Sequence, residues 1–578
     1  MCILLPPRYN NLPMTTPPRK PGTDDSSIKE TLQSITVAFI LAFVFRAFVV
    51  EAFVIPTGSM APTLLGKHVK FTCPECGYRF TGGPRDYPGN NSSNEPLPIQ
   101  GRQSWRDRKT GARFERTEPL SAHCPMCDYP ITKDWARLDA GDRILVLKYI
   151  YAFSEPRRWD VVVFRPPDNP GINYIKRLVG LPDEWLRIIR GNVFTSTDQG
   201  QSWHIQRKPV KVQQAVWQPV YHSAFEPLDD GQSLNRRSVW TTPWQPVNAE
   251  NWAAENRGRT LTFHPAAADR QGDESGTNVP GAGVLRFDFE RHPWATKDYS
   301  AYNNLAIYSL RDSPVFVEDM RVGLTVLPHA TGGEVTLHIG GELLDYQGAI
   351  RPDGSIELRI APGGAKRTER TWTTVAQAPG QPLAADQTHR VELWCVDQSA
   401  QLWVDGEMAL KYDIPVADQT DDQSPFVLSV RTLLAHNEIG EPPRISVTLG
   451  GAAMDVRDID LDRDLYYTNP THESTSLATY DNVAKLADNE FFCLGDNSPA
   501  SADGRRWKSV NDWVTYHTRF DHHHLGPEGE ELPWVGNGIV PRRLMIGRAF
   551  FVYWPAPDRL SPNDRLWMPN FGDLRFIH

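Results

Sequence analysis

Sorted by the spacing of its apolar residues, the chain divides into stretches of distinct character. Leu32 to Val50 is predominantly apolar, with nothing polar recurring at helical spacing from Ile35 to Phe45. As a helix it would span ~28 Å at 1.5 Å per residue, close to the ~30 Å hydrocarbon core of a bilayer. A transmembrane anchor is expected over residues 28–50, with Arg46 near the outer interface, where its long stem lets the charge reach the headgroups. From Phe71 to about Lys133 the chain turns polar and rich in Gly, Pro, Asn and Arg. Strands are expected at Gly141 to Leu147, Trp159 to Phe164 and around Lys176, then at Asn489 to Leu494 and Gly547 to Trp554. Between these two groups lie short alternating runs bounded by Gly, Pro and Asp: Val284 to Phe289, Val322 to Val326, Glu334 to Ile339, Ser355 to Ile360, Arg390 to Val396, Gln401 to Val404 and Arg444 to Leu449. Their regular spacing predicts a β-sandwich inserted over residues 191–480. The acidic series Asp455, Asp458, Asp460, Asp462 and Asp464, alternating with Val456, Ile459 and Leu461, is expected on the wet face of a strand rather than around calcium.

Composition narrows the options. With 578 residues, 40% hydrophobic and 23% charged, the chain can bury more than one core. Its net charge of -9 and lack of a concentrated basic face argue against nucleic acid as a partner. Arg8, Arg19, Lys20 and Lys29 precede the apolar stretch, so residues 1–27 are expected to form a cytoplasmic tail and everything after Glu51 to lie outside. Four of the seven cysteines form two pairs, Cys73-Pro74-Glu75-Cys76 and Cys124-Pro125-Met126-Cys127. Two such knuckles can bring four thiolates into a tetrahedron around one structural zinc, residues 71–133 then forming a zinc-ribbon-like insertion; two disulfides or free thiols are the alternative, made more credible by an extracytoplasmic location. Of the remainder, Cys493 reads as a small core residue, Cys2 has no lipidation context, and His522-His523-His524 reads as a loop.

The candidate chemistry lies in two short segments. Directly after the apolar stretch comes Ile55-Pro56-Thr57-Gly58-Ser59-Met60-Ala61-Pro62, and far downstream Tyr174-Ile175-Lys176-Arg177-Leu178-Val179-Gly180. A serine hydroxyl is a poor nucleophile unless a base lies within hydrogen-bond reach, and a lysine is a base only when neutral, which burial among apolar neighbours favours. Taken singly, neither residue is distinctive. Together with Gly141 to Val146, Asp160 to Pro182, Gly495 to Arg505 and Gly547 to Trp554, in that order, they resemble the bacterial type I signal peptidases.

That resemblance implies a mainly β fold, a signal-peptidase-type domain over 51–190 and 481–578 behind one N-terminal transmembrane helix, with the β-sandwich inserted as a jelly roll. It also implies a membrane-bound serine endopeptidase that removes signal peptides from exported preproteins by a Ser-Lys dyad, at the cytoplasmic membrane with the catalytic domain extracytoplasmic. Carried over, Ser59 would be the nucleophile and Lys176 the general base. The Ser59 amide and Thr57 hydroxyl would form the oxyanion hole, Ser501 would orient the lysine, and Asp503 with Arg505 would support the site. No cofactor is implied for catalysis. The chain departs from the family pattern at Asp183 where glycine is usual, at Gly504 where serine is frequent, and at Trp159 where glycine commonly precedes Asp160. Aspartate tolerates left-handed backbone, so the turn at Asp183 is expected to survive.

The run from His389 to Trp394, followed by Gln401 to Gly406, resembles adjacent strands of laminin-G or lectin-like jelly rolls. A glycan or protein ligand, or a packing role, is what that likeness implies. Because it interrupts the chain away from every catalytic block, the insertion is expected to be dispensable for chemistry. The competing reading is a membrane-tethered glycan- or protein-binding protein on an inactive peptidase framework; a self-cleaving repressor is more remote, since no DNA-binding segment is evident.

Overall fold

The computed structural model describes residues 29–40, 50–83, 98–99, 101–106, 113–118, 120–133, 136–148, 150–227, 240–255, 259–265, 281–292, 302–303, 315–364, 371–417, 426–437, 439–468, 476–479, 481–507, 509–518, 538–559 and 567–578. Two compact units are distinguished, residues 1–51 and 52–578. In the first, residues 29–40 are helical and Leu32, Ile35, Val37, Phe39 and Ile40 are exposed. Residues 41–49 of the expected anchor, Cys2 and His522 to His524 lie outside the described residues. Among the described residues no helix is long and apolar enough to cross a membrane.

The second unit is mainly β. One sheet gathers strands from both ends of the sequence: β1 (Val50–Val54), β2 (Arg143–Lys148), β3 (Val161–Phe164), β4 (Tyr174–Gly180), β5 (Glu490–Leu494), β6 (Ile539–Pro541), β7 (Met545–Trp554) and β8 (Arg575–Phe576). The spatial order is β1-β2-β7-β3-β4-β5-β6, with β8 on β7. All four residues of β3 are buried. Val161 and Val163 pack into one apolar cluster with Ile55, Met60 and Leu64, while Val162 and Phe164 join another with Leu178, Phe491 and Phe492. Since successive strand residues face opposite sides, a strand covered on both faces reads as an unbroken apolar run. The long gap in sequence between β4 and β5 is closed by antiparallel pairing of Arg177 with Leu494 and Leu178 with Cys493.

The chain between them builds two packed antiparallel sheets. One, of eight strands, is centred on Met320–Pro328, His389–Val396 and Met454–Arg463; the other, of seven, on Glu334–Gly340, Leu344–Ile350 and Arg444–Gly450. Val322, Leu324, Leu337, Leu393, Val447 and Leu461 are fully buried between them. The acidic series behaves differently from its expected wet face. Asp460 and Asp462 are buried, and Arg321 bonds both, with Arg390 also on Asp460. Two arginines from neighbouring strands thus neutralise what alternation alone assigns to solvent.

The residue expected to open the insertion, Gly191, instead sits in a tight turn. Trp185–Ile189 and Asn192–Ser196 pair antiparallel across Arg190 (φ 51°) and Gly191 (φ 79°), two left-handed residues as a two-residue hairpin turn requires. Leu186, Ile188 and Val193 belong to the same core as Phe491 and Phe492, so the core that flanks β3 continues past residue 191.

The three departures each have a physical account. Asp183 does adopt left-handed backbone, φ 61°, and Glu184 closes the turn by accepting from the Leu181 amide at 2.9 Å. A Cβ on Gly504 would meet the Gly538 carbonyl at 2.7 Å and the Phe492 ring at 2.9 Å. Trp159, at φ 75°, occupies backbone that suits glycine. It is held by its surroundings: its ring is buried, its Nε1 donates to the Arg207 carbonyl at 3.2 Å, and Lys208 Nζ lies 5.5 Å from the ring centroid. Lys208 in turn pairs with Asp397 (2.5 Å) and Asp464 (2.8 Å) of the sandwich. With Asp319, these carboxylates form a close acidic triad whose cation is the lysine.

Across the shared strands Arg177 makes a two-pronged pair with Asp496, both bonds 2.8 Å and both side chains essentially inaccessible. Asp496→Ala leaves that guanidinium buried without its counter-ion and is expected to cost about 3–5 kcal/mol of unfolding free energy. A urea unfolding midpoint equal to that of the parent would contradict this.

Candidate functional site

Ser59 sits in the short 3-10 turn Gly58–Met60, which follows the edge strand β1, and Lys176 lies in the middle of the interior strand β4. Although 117 residues apart, they meet: Lys176 Nζ donates to Ser59 Oγ at 2.5 Å. Nζ also donates to the Ile175 carbonyl at 3.1 Å and lies 5.1 Å from the Tyr174 ring centroid. Lys176 is 3% exposed. Burial lowers its pKa from the ordinary 10.5 to about 8, against the opposing pull of Asp503, Cys493 and Asp496. A hydroxyl bonded to a dry amine of that basicity is the arrangement in which a proton can leave the oxygen as it attacks a carbonyl.

The loop after β5 closes over this pair. The Asn497 amide donates to the Ser59 carbonyl at 3.0 Å, and Asn497 Nδ2 donates to the Gly58 carbonyl at 2.9 Å. Gly495 must be a glycine: a Cβ there would lie 2.1 Å from Ser501 Oγ and 2.4 Å from the Ser59 carbonyl. Ser501 is therefore beside the pair, fully buried, with a hydroxyl that makes no hydrogen bond among the described residues. The contact that holds the lysine is the Ile175 carbonyl, not Ser501. Asp503 and Arg505 form the expected pair, also fully buried, with Arg505 Nε and Nη2 donating at 3.0 and 2.8 Å. Asp503 takes the Gly495 amide at 3.0 Å, and Arg505 holds the Ser498 hydroxyl and carbonyl. Arg505 and this amide bond hold the Asp503 carboxyl below its usual range, although burial pushes the other way and is the largest influence. Thr57, in extended backbone at the head of the turn, is exposed and its hydroxyl does not cap the turn.

The sequence gives no hint of two further residues at this loop. Tyr302 and Asn303, from the connection between sandwich strands Gly283–Phe287 and Met320–Pro328, reach the turn that carries Ser59. Asn303 and Asn497 exchange side-chain amide bonds of 2.8 and 3.0 Å, and Tyr302 donates its hydroxyl to the Lys67 carbonyl at 2.8 Å. The sandwich is thus not remote from the candidate site, as chain order suggests. Asn497 itself lies in the block 495–505 and was within reach of sequence reasoning; a Tyr-Asn dipeptide carries no comparable signal.

The cysteine quartet forms a second centre. Two hairpins, Val69–Thr72 with Arg79–Gly82 and Leu120–His123 with Pro130–Lys133, each end in a knuckle. Both knuckles repeat Cys-Pro-x-Cys-x-Tyr with a left-handed residue before the tyrosine, Gly77 at φ 76° and Asp128 at φ 60°. The four sulfurs converge, with Cys73–Cys127 at 3.6 Å and Cys76–Cys124 at 3.5 Å, all buried. Those separations exceed the ~2.05 Å of a disulfide and approach the ~3.8 Å edge of a tetrahedron built on Zn–S bonds of ~2.3 Å. All four thiols are free, so the donor set fits a four-coordinate soft metal ion and not paired disulfides.

Comparison with known proteins bears on the first centre. The family described as signal peptidase, peptidase S26, matches residues 133–241 and 413–554. That match includes Lys176, Asn497, Ser501, Asp503 and Arg505, but ends short of Ser59. Signal peptidase I of Leptolyngbya laminosa is 37% identical over 79 residues, 12% of this chain and 39% of that protein. Signal peptidase I of Pseudomonas fluorescens is 45% identical over 62 residues, 9% and 22% respectively. That of Rickettsia typhi is 25% identical over 165 residues, 28% and 42%. The chain therefore spans less than half the length of each of these relatives. Among solved structures, the carbohydrate binding module CBM66 from Bacillus subtilis covers 38% of this chain at 9% identity and a TM-score of 0.22, too slight a likeness to bear on fold or function.

The basicity of Lys176 carries a stability signature. Between about pH 8 and 10.5 the unfolded chain holds a proton at this lysine that the folded chain has released, so stability rises with pH across that window. Lys176→Met should be more stable than the parent at neutral pH and lose that portion of the rise. Parallel pH–stability curves for the two proteins would show that the lysine is not desolvated.

Proposed function

We propose that this chain is a membrane-bound serine endopeptidase that removes signal peptides from exported preproteins. The observation that carries the reading is the 2.5 Å contact between Ser59 Oγ and a lysine whose pKa is lowered to about 8. Similarity to signal peptidases over the strand of Lys176 and the loop of Asp503 supports the same conclusion.

In this reading, the cleavage region of a preprotein lies extended along a strand edge beside the Ser59 turn, its small side chains entering pockets that exclude larger ones. Ser59 Oγ attacks the scissile carbonyl as Lys176 takes its proton. The resulting oxyanion is met by the Ser59 amide and the exposed Thr57 hydroxyl, where threonine supplies the same donor as serine on a stiffer side chain. Lys176 then gives the proton to the departing amine, and water, activated by the same lysine, resolves the acyl-enzyme. Asp503 and Arg505 keep the loop of Gly495 and Asn497 pressed on the turn, the Ile175 carbonyl steadies the lysine as the proton moves, and Ser501 packs beside the turn.

The apolar, exposed helix of residues 29–40 supports an N-terminal anchor over 28–50 that continues from it, with the tail cytoplasmic and the catalytic domain outside. Cys73, Cys76, Cys124 and Cys127 would hold one structural zinc; four protein ligands leave no position for substrate, so the metal would pin the two hairpins together and take no part in cleavage.

Two measurements test these assignments. The detergent-purified chain should cleave a secretory preprotein after a small-x-small motif, with kcat/KM rising with pH to a plateau above about 8 as the lysine becomes neutral. Ser59→Ala and Lys176→Ala should each lose about 10²–10⁴-fold. Variants as active as the parent, or a rate indifferent to pH across that range, would rule out the dyad. Elemental analysis should return about one zinc per chain, and stripping it with a chelator should lower the unfolding temperature. A metal-free protein of undiminished stability would remove zinc from the account.

A further inference from the structure

The sandwich enters the candidate active site through two residues, and the geometry around them is unusually specific. The Tyr302 ring lies between two glycines from different parts of the chain. A Cβ on Gly58 would come within 2.0 Å of Tyr302 Cε1, and one on Gly83 within 2.1 Å of the same atom. Neither glycine has the left-handed backbone that usually explains the residue, so the ring itself is the reason that no side chain fits there. The ring is fixed at both ends: its hydroxyl donates to the Lys67 carbonyl at 2.8 Å, and the Tyr302 carbonyl accepts from the Gly83 amide at 2.6 Å. Gly83 directly follows the strand Arg79–Gly82 of the first cysteine hairpin.

Asn303 completes the connection. Its amide and that of Asn497 satisfy each other in both directions, and the three remaining contacts of this unit point at the catalytic turn: Asn497 Nδ2 to the Gly58 carbonyl, the Asn497 backbone amide to the Ser59 carbonyl, and Tyr302 against Gly58. Both asparagines are buried, at 7% and 2% exposure. An asparagine amide flips freely unless its oxygen and nitrogen have different partners. Asn303 supplies that difference, fixing Asn497 in the orientation that donates to Gly58.

We infer that Tyr302 and Asn303 form a latch by which the inserted sandwich positions the Ser59 turn, making both of them positioning residues for cleavage. The inference rests on Ser59 acting as the nucleophile. The latch acts through Asn497 and Gly58, and touches neither substrate nor Lys176. Its effect falls on the turnover step, because a turn that wanders by a fraction of an ångström disturbs the attack angle while leaving the substrate's strand pairing intact.

The test uses the full chain and two independent readouts, peptide cleavage and amide hydrogen exchange over residues 57–60. Asn303→Ala should lower kcat about tenfold with KM changed by no more than about twofold, and raise exchange at residues 57–60 without raising it in the sandwich strands. Asn303→Asp, which keeps the size but sets a second acceptor against Asn497 Oδ1, should not recover the loss. Asn303→Ala and Asn497→Ala should be strongly non-additive, since each breaks the same pair. Gly58→Ala should be impaired, and Tyr302→Ala should partly rescue it by removing the ring that the new methyl meets. Unchanged kcat and exchange in Asn303→Ala, full activity in Asn303→Asp, additive losses, or loss of activity accompanied by raised exchange throughout the sandwich would each overturn the latch. A parent that cleaves nothing, with the exchange difference at residues 57–60 still present, would overturn the peptidase reading and leave the latch standing.

Discussion

A lysine ammonium removed from water loses hydration that must be replaced or surrendered, and the candidate site turns on how strand β4 handles two adjacent cations differently. Arg177 keeps its charge because Asp496 meets both arms of its guanidinium. Lys176, one residue earlier and therefore on the other side of the pleat, is given no such partner: a serine hydroxyl and a carbonyl oxygen accept from it, and the nearest carboxylates act only at a distance. The proton is thus weakly held on Lys176, beside the Ser59 hydroxyl, and firmly held on Arg177, where the sheet has an ion pair. Asp503, the nearest strong negative influence, is occupied by Arg505, which keeps it from forming the salt bridge that would fix Lys176 in its charged form.

The same economy governs the loop after β5. Asn497, Ser498, Asp503 and Arg505 are all almost wholly buried in a segment with little regular structure, and their polar atoms bond largely within the segment, to the backbone of the Ser59 turn and to Asn303. Such a segment cannot relax piecemeal, because any displaced group would leave a buried donor or acceptor without a partner. Rigidity at the turn is therefore obtained from polar satisfaction, and the apolar clusters on either side of β3 supply the dry walls.

Much of this was legible in the sequence where the signal is local. The unbroken run Val161–Phe164, the alternation of His389–Val396 and the paired cysteines all announce their elements, and the order of motif blocks points to Ser59 and Lys176 before any contact is seen. What the sequence hides is what depends on distant partners. Asp460 and Asp462 look solvated until Arg321 and Arg390 are brought over them from other strands. The hairpin across Arg190 and Gly191 conceals the point where one body gives way to the other, because its turn resembles a domain boundary in composition. Tyr302 and Asn303 carry no motif at all; their importance arises from two glycines and an asparagine hundreds of residues away.

Trp159 bears on how separable the two bodies are. Its left-handed backbone is tolerable only while Arg207 and Lys208 occupy its indole and the sandwich carboxylates anchor Lys208. The body that carries Ser59 and Lys176 is thus fitted to the sandwich at this position, where glycine would need no such support. Cutting the sandwich away would leave a strained tryptophan facing water, and glycine at that position would relieve the strain.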